Sequence, residues 1–289
     1  MDKLKNVVYS RLRADFRNLP EKKTKDAFDK EIERLQDNAE ERIERIFRKV
    51  KIKRYKKRAI YSGDIVEYEV YPIWSTNSDV RRAKSAISKE SQKALNALNR
   101  KKRIVRLINT NFTDKDAWYT LTYTKRVTHE QAEKDADNYL RRLRYMAKKT
   151  GFELKSICVV ESTAARTHIH LICNFRNRDA AERLWTYGRT EGQRLQPDDD
   201  GLTALAIYIS KECNGKKRYK ASRNLVKSTV KEVEITEKTA KKAIRNYESA
   251  ERELKRLFND CDIKGIDLRE NPFCRGTYMY SRLKRRQRK

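Results

Sequence analysis

Two of the three histidines stand two residues apart, in Thr167-His168-Ile169-His170-Leu171. On a β-strand, residues i and i+2 point to one face with Cα atoms about 7 Å apart. Both imidazoles therefore project side by side and can close on one metal ion, while Ile169 and Leu171 face the core. An HxH pair alone equally describes two satisfied or exposed histidines. Glu161 ends the preceding apolar stretch, and a short Ser/Thr/Ala/Arg loop joins the two, so an antiparallel hairpin is expected. If Glu161 stands opposite His168 or His170, its carboxylate joins the imidazoles; a one-residue slip would turn it to the other face. Two imidazoles and one carboxylate leave positions on Mg²⁺ or Mn²⁺ open for phosphate oxygens and water. The third element is Tyr208-Ile209-Ser210-Lys211 in an apolar helix. Residues i and i+3 share a helix face, so the phenol and the ammonium can meet. A phenol with a pKa near 10 is a poor nucleophile unless a cation, Lys211 or the metal, stabilises the phenolate. A core tyrosine beside a solvated lysine gives the same pattern.

These groups need a frame. Residues 117–124 (AWYTLTYT) alternate like a strand, and residues 128–149 carry Leu140, Leu143 and Met146 at helical spacing. Thr128 followed by Gln131 resembles a capping box, and Gly151 stands where a helix ends. Strands follow at 152–161 and 167–175, helices at 178–189 and 202–211, and Asp198–Asp200 suits a helix N-terminus. The order β-α-β-β-α-(β)-α predicts an α+β fold, a ferredoxin-like split βαβ antiparallel sheet with helices packed on it. Thr120 and Thr122 share one face of the first strand and are assigned to plain β-propensity. Buried Cys158 and Cys173 fit the core, and His129 at a helix start fits the surface.

Around this core the chain divides into a charged helical arm (1–50), a basic β-hairpin and helix (51–110), the core itself (111–225) and a basic helical C-terminal region (226–289) with one helix over 236–258. The 289 residues carry a formal net charge of +29. Residues 51–110 hold +11 and 214–289 hold +13, whereas 111–213 hold only +2. Such a balance calls for an anionic partner, with nucleic acid ahead of a membrane surface. The candidate DNA contacts are Arg100, Lys101, Lys102 and Arg103, then Lys216, Lys217, Arg218 and Arg223; a solvated helix face explains the first four equally well. The longest apolar run is far short of a membrane span, and the N-terminus is too charged for a secretory signal. Five scattered cysteines without a CxxC exclude a zinc ribbon. GxxxxGK[ST] is absent, which excludes a P-loop ATPase.

Taken together, AWYTLTYT, THIHL and YISK, in that order, resemble the HUH endonuclease superfamily, and within it the single-tyrosine rolling-circle replication initiators (Rep proteins) of plasmids, integrative elements and small phages. The resemblance covers roughly residues 80–225. It implies an HUH nuclease core acting as a site-specific, metal-dependent single-stranded DNA endonuclease and strand transferase. His168, His170 and Glu161 would hold Mg²⁺ or Mn²⁺. Tyr208 would attack the scissile phosphate, forming a 5′-phosphotyrosine and leaving a 3′-OH primer, and Lys211 would orient it. The implied partners are single-stranded or cruciform origin DNA, a host helicase and a DNA polymerase, with no membrane, in a bacterial cytoplasm. No second tyrosine follows within a turn, so strand transfer would need a second subunit in a homodimer, a second turnover or water. Two other readings compete. A ferredoxin-like sheet with basic flanks also describes an RNA-binding module. A two-histidine, one-carboxylate iron oxygenase leaves YxxK, the charge and the element order unexplained.

Overall fold

The computed structural model describes residues 52–74, 89–162, 166–210, 219–270 and 276–286. The expected arm at 1–50 lies outside them, as do Lys211, Lys216, Lys217 and Arg218. In chain order the elements are β1 (Ile52–Ser62), β2 (Ile65–Trp74), α1 (Lys89–Asn111), β3 (Ala117–Thr122), α2 (His129–Lys149), β4 (Ser156–Ser162), β5 (Thr167–Cys173), α3 (Arg178–Leu184), β6 (Thr190–Arg194), α4 (Thr203–Ser210), β7 (Lys220–Ala221), β8 (Thr229–Ile235), α5 (Glu237–Ala243), α6 (Tyr247–Leu257), β9 (Cys261–Glu270) and β10 (Thr277–Arg285). No helix among the described residues is long and apolar enough to cross a membrane.

The chain divides into two compact units. The first comprises Met1–Ile52, Trp74–Asn99 and Asn271–Arg275, and its main described part is the first half of α1. The second comprises Lys53–Ile73, Arg100–Glu270 and Gly276–Lys289. It contains two five-stranded antiparallel sheets, ordered β8-β1-β2-β10-β9 and β6-β3-β5-β4-β7.

The β6-β3-β5-β4 portion is the split βαβ expected from the sequence. β5 returns antiparallel between β3 and β4, and β6 adds outside β3. α2 forms because Ala132, Ala136, Tyr139, Leu140, Leu143 and Ala147 recur on one face, all buried. The Thr128 side chain caps it by accepting from the Gln131 amide at 3.2 Å, and the chain leaves through Gly151 at φ +84°. α2 and α3 cover the sheet face bearing Tyr119, Leu121, Ile169 and Leu171. On the other face Ile104, Ile108 and Phe112, with Leu202, Ala206 and Ile209, cover Trp118, Ile157, Val159 and Ile172. Burial pushes the Cys158 and Cys173 thiols up to about 12, as expected of inert core cysteines.

The other sheet corrects the helical reading of residues 226–289. β8, β9 and β10 are strands, and the single helix expected over 236–258 is two, because Thr236 and Asn246 each cap a new start. The period-two pattern of Met279, Ser281 and Leu283, all buried, lies among charged residues and is masked by them. Its partner is also distant: β10 pairs with β2, with Leu283 opposite Val66. The N-terminal hairpin and the C-terminal strands thus build one sheet. On one face Phe258 packs edge-on against Tyr68, with ring centroids 5.4 Å apart, and Glu253 of α6 pairs with Lys57. On the other face Glu67 receives bonds from Arg106 of α1 and from the Tyr280 hydroxyl.

Candidate active site

The β4–β5 register places Glu161 directly opposite His168, and Val159 opposite His170. Across the other edge of β5, Thr122 faces His168 and Thr120 faces His170. Glu161, His168, His170, Thr120 and Thr122 therefore share one sheet face. His170 Nε2 lies 2.8 Å from Glu161 Oε2, and both side chains are nearly buried, at 6% and 12% exposure. Thr120 Oγ1 approaches His170 Nδ1 at 3.4 Å and accepts the Trp118 indole N–H at 3.1 Å. The Trp118 ring stacks on His170, with centroids 4.9 Å apart and planes at 27°. Thus His170 is gripped on both nitrogens and on one ring face. The His168 ring centroid is 5.9 Å from that of His170. Burial pushes the His168 imidazole below its ordinary range; Glu161 opposes this, and His170 and Arg166 add to it. His168 is consequently neutral at pH 7, the form that ligates a metal.

Tyr208 arrives from α4. Its ring lies 5.6 Å from His170, edge to face, and 6.1 Å from Trp118. Asn109, buried on α1, holds this helix by its first turn: its Oδ1 accepts the Leu202 amide at 2.8 Å and its Nδ2 donates to Thr203 Oγ1 at 3.2 Å. Gly201, at φ +70°, lets the chain pass so close that an added Cβ would stand 2.5 Å from Asn109 Oδ1. The acidic run before α4 faces basic residues of the other sheet. Asp200 pairs with Arg282 at 3.3 Å, Asp199 with Lys264 at 3.4 Å, and Lys284 Nζ donates to the Asp198 carbonyl at 2.8 Å.

Among the described residues, no group of three or more His, Cys, Asp or Glu side chains already stands in a metal-holding arrangement. Glu161 and His170 are instead bonded directly to each other. The donor chemistry nevertheless fits a divalent cation, with two imidazoles and a carboxylate on one face and two of those donor atoms already converging. The remaining expected sites separate. Lys102 lies 3.9 Å from Glu69 and over the Tyr280 ring, and is thus engaged within the protein. Arg103 is exposed, Arg100 and Lys101 are half-buried, and Arg223 is exposed. The basic strand β1 is answered by acids: Arg54 by Glu234, Lys56 by Glu232 and Arg58 by Glu69 and Glu232.

The sequence did not single out Trp118, and Thr120 has more than a strand-forming role, since both touch His170. His129 does more than sit at the surface, because its Nδ1 lies 3.1 Å from Ser162 Oγ, beside Glu161.

Residues 116–213 match a family model of replication-associated proteins of the ORF2 type. That is 98 of the 289 residues, and it spans Trp118, Glu161, both histidines, Tyr208 and Lys211. The match is consistent with a replication initiator of the Rep type. No curated protein and no solved structure matches the chain.

Proposed function

We propose that this protein is an HUH-type, single-tyrosine replication initiator that nicks and rejoins single-stranded origin DNA. The observation that carries the reading is the placement of Tyr208, a phenol held 5.6 Å from an imidazole that is itself bonded to a carboxylate. Tyr208 Oη attacks the scissile phosphorus, the bond from phosphorus to the 3′ oxygen breaks, and the phenolic proton leaves as the 3′ oxygen gains one. One phosphodiester becomes one 5′-phosphotyrosine and one 3′-OH, so a later 3′-OH can reverse the step. His168, His170 and Glu161 would hold Mg²⁺ or Mn²⁺, which when bound supplies Lewis acidity at the phosphate. Trp118 and Thr120 keep the His170 ring from turning, and Asn109 fixes the helix that presents the nucleophile.

An RNA-binding module of the same topology uses an open sheet face. Here helices pack on both faces of the β6-β3-β5-β4-β7 sheet, which favours the nuclease reading.

The test incubates the full chain with single-stranded DNA from its own origin, with Mn²⁺ or with EDTA. A covalent adduct on denaturing gels is expected with Mn²⁺ and is lost in EDTA and in Tyr208→Phe. An adduct that survives Tyr208→Phe would overturn the choice of nucleophile. His168→Ala and His170→Ala should abolish cleavage while salt-sensitive DNA binding persists.

A further inference from the structure

At the far end of β4 from Glu161 lies a groove of about 870 Å³. Arg144 and Lys148 of α2 line one side, and Ser222, Arg223 and Asn224 after β7 the other, with Phe152 and Leu154 among its apolar lining. Arg144, Lys148 and Arg223 are all exposed, and among the described residues none of these three side chains has an ion-pair or hydrogen-bond partner. The one acid in the lining, Glu153, accepts from Asn224 Nδ2 at 3.3 Å. This contrasts with β1, where acids answer the bases. The α2 C-terminus would favour a cation by its dipole. That accounts for Lys148 but not for Arg144 one turn earlier, nor for Arg223 on another element. Three unanswered cations around a concave, partly aromatic floor make a site for a flexible polyanion with planar groups.

We infer that this groove binds the backbone of single-stranded DNA, with Arg144, Lys148 and Arg223 on phosphates and Phe152 beneath a base. Ile157 pairs with Ala221 at the groove, and Glu161 is four residues further along the same strand. At about 3.3 Å per residue the separation along β4 is about 13 Å, which is about four stacked nucleotides at 3.4 Å each. A DNA strand held at the active site and following the β4 edge reaches the groove within that distance. Only this last placement rests on the nuclease reading; binding in the groove does not.

The test uses the full chain and fluorescence anisotropy with a labelled oligothymidylate and a duplex of equal length, titrated over about 50–200 mM salt. The groove variant is Arg144→Gln, Lys148→Gln, Arg223→Gln. A control triple, Lys238→Gln, Lys242→Gln, Arg245→Gln, removes the same charge from exposed positions on and beside α5. At about 0.7 counterions per phosphate, three lost contacts lower the single-strand salt slope by about 2. Affinity should fall by about tenfold or more, and the control should leave both nearly unchanged. Phe152→Leu keeps an apolar floor and should weaken oligothymidylate binding by about fivefold or more, with binding of heparin unchanged. Equal losses in the groove and control triples, or a larger loss on duplex than on single strand, would overturn the inference. Because no cleavage is read, failure of the Tyr208 chemistry leaves this measurement intact.

Discussion

Replacing Trp118 with leucine removes two ring contacts at once, the stack on His170 at 4.9 Å and the tilted contact with Tyr208 at 6.1 Å. It also removes the indole donor to Thr120, which itself approaches His170. Aromatic pairs contribute about 0.5–1.5 kcal/mol each beyond buried area, so about 1–3 kcal/mol of orientation is at stake. If that energy serves to align nucleophile and imidazole, the cleavage rate falls by about 5- to 150-fold, since about 1.4 kcal/mol is one factor of ten. Trp118→Phe keeps a ring and loses only the hydrogen bond, about 0.5–1.5 kcal/mol, and should lose about 2- to 10-fold. The assay is single-turnover adduct formation on single-stranded origin DNA at saturating Mn²⁺, run well below the unfolding midpoint of each variant, with DNA affinity measured in parallel. Trp118→Leu cleaving at the wild-type rate would refute the positioning argument. A loss of DNA affinity as large as the loss of rate would refute it too, by reassigning Trp118 to binding.

Three further outcomes follow from the same contacts. Gly201→Ala forces a side chain into φ +70° and against Asn109; the backbone term alone is about 1–2 kcal/mol, so thermal unfolding should drop and cleavage should fall with it as α4 shifts. Arg106→Ala leaves the buried Glu67 carboxylate with only the Tyr280 hydroxyl at 2.7 Å, which should cost about 3–5 kcal/mol in denaturant unfolding, and Glu67→Gln in the same chain should recover much of it. Burial pushes the Glu253 carboxyl up, but the bonds from Lys57 and Arg256 outweigh this and hold it below its ordinary range. Its folded pKa is thus below its unfolded one, near 4.3, so it stabilises above that value and the gain is lost as pH falls through the folded pKa. Glu253→Gln should flatten the acid limb of the unfolding midpoint against pH, and an unchanged limb would exclude Glu253 as its source.

Much of the β6-β3-β5-β4 sheet was legible because its signals are local. Leu140 and Leu143 repeat at helical spacing, Ile169 and Leu171 alternate with the histidines, and Thr128 and Gly151 mark the ends of α2. The C-terminal strands were not legible for the opposite reason. Met279, Ser281 and Leu283 alternate weakly among arginines and lysines, and they become strand only by pairing with Val66, Tyr68 and Val70, about two hundred residues away. Trp118 and Thr120 looked like ordinary strand formers, since a side chain's role toward another strand leaves no mark on its own.

By itself the sequence determined the chemical inventory and its local geometry. It set two imidazoles on one strand face, a carboxylate at the end of the previous strand, a phenol on an apolar helix and a nearly neutral core between basic flanks. Only the tertiary structure decided the register that turns Glu161 toward His170 rather than away, because a strand pattern of period two fits either face until its neighbour is chosen. It also decided which basic residues are left for a partner. β1, Lys102 and Arg106 are answered by Glu67, Glu69, Glu232 and Glu234 across the first sheet, while Arg144, Lys148 and Arg223 meet no acid. Pairing of charges depends on which distant strands become neighbours, and no count of lysines and arginines contains that.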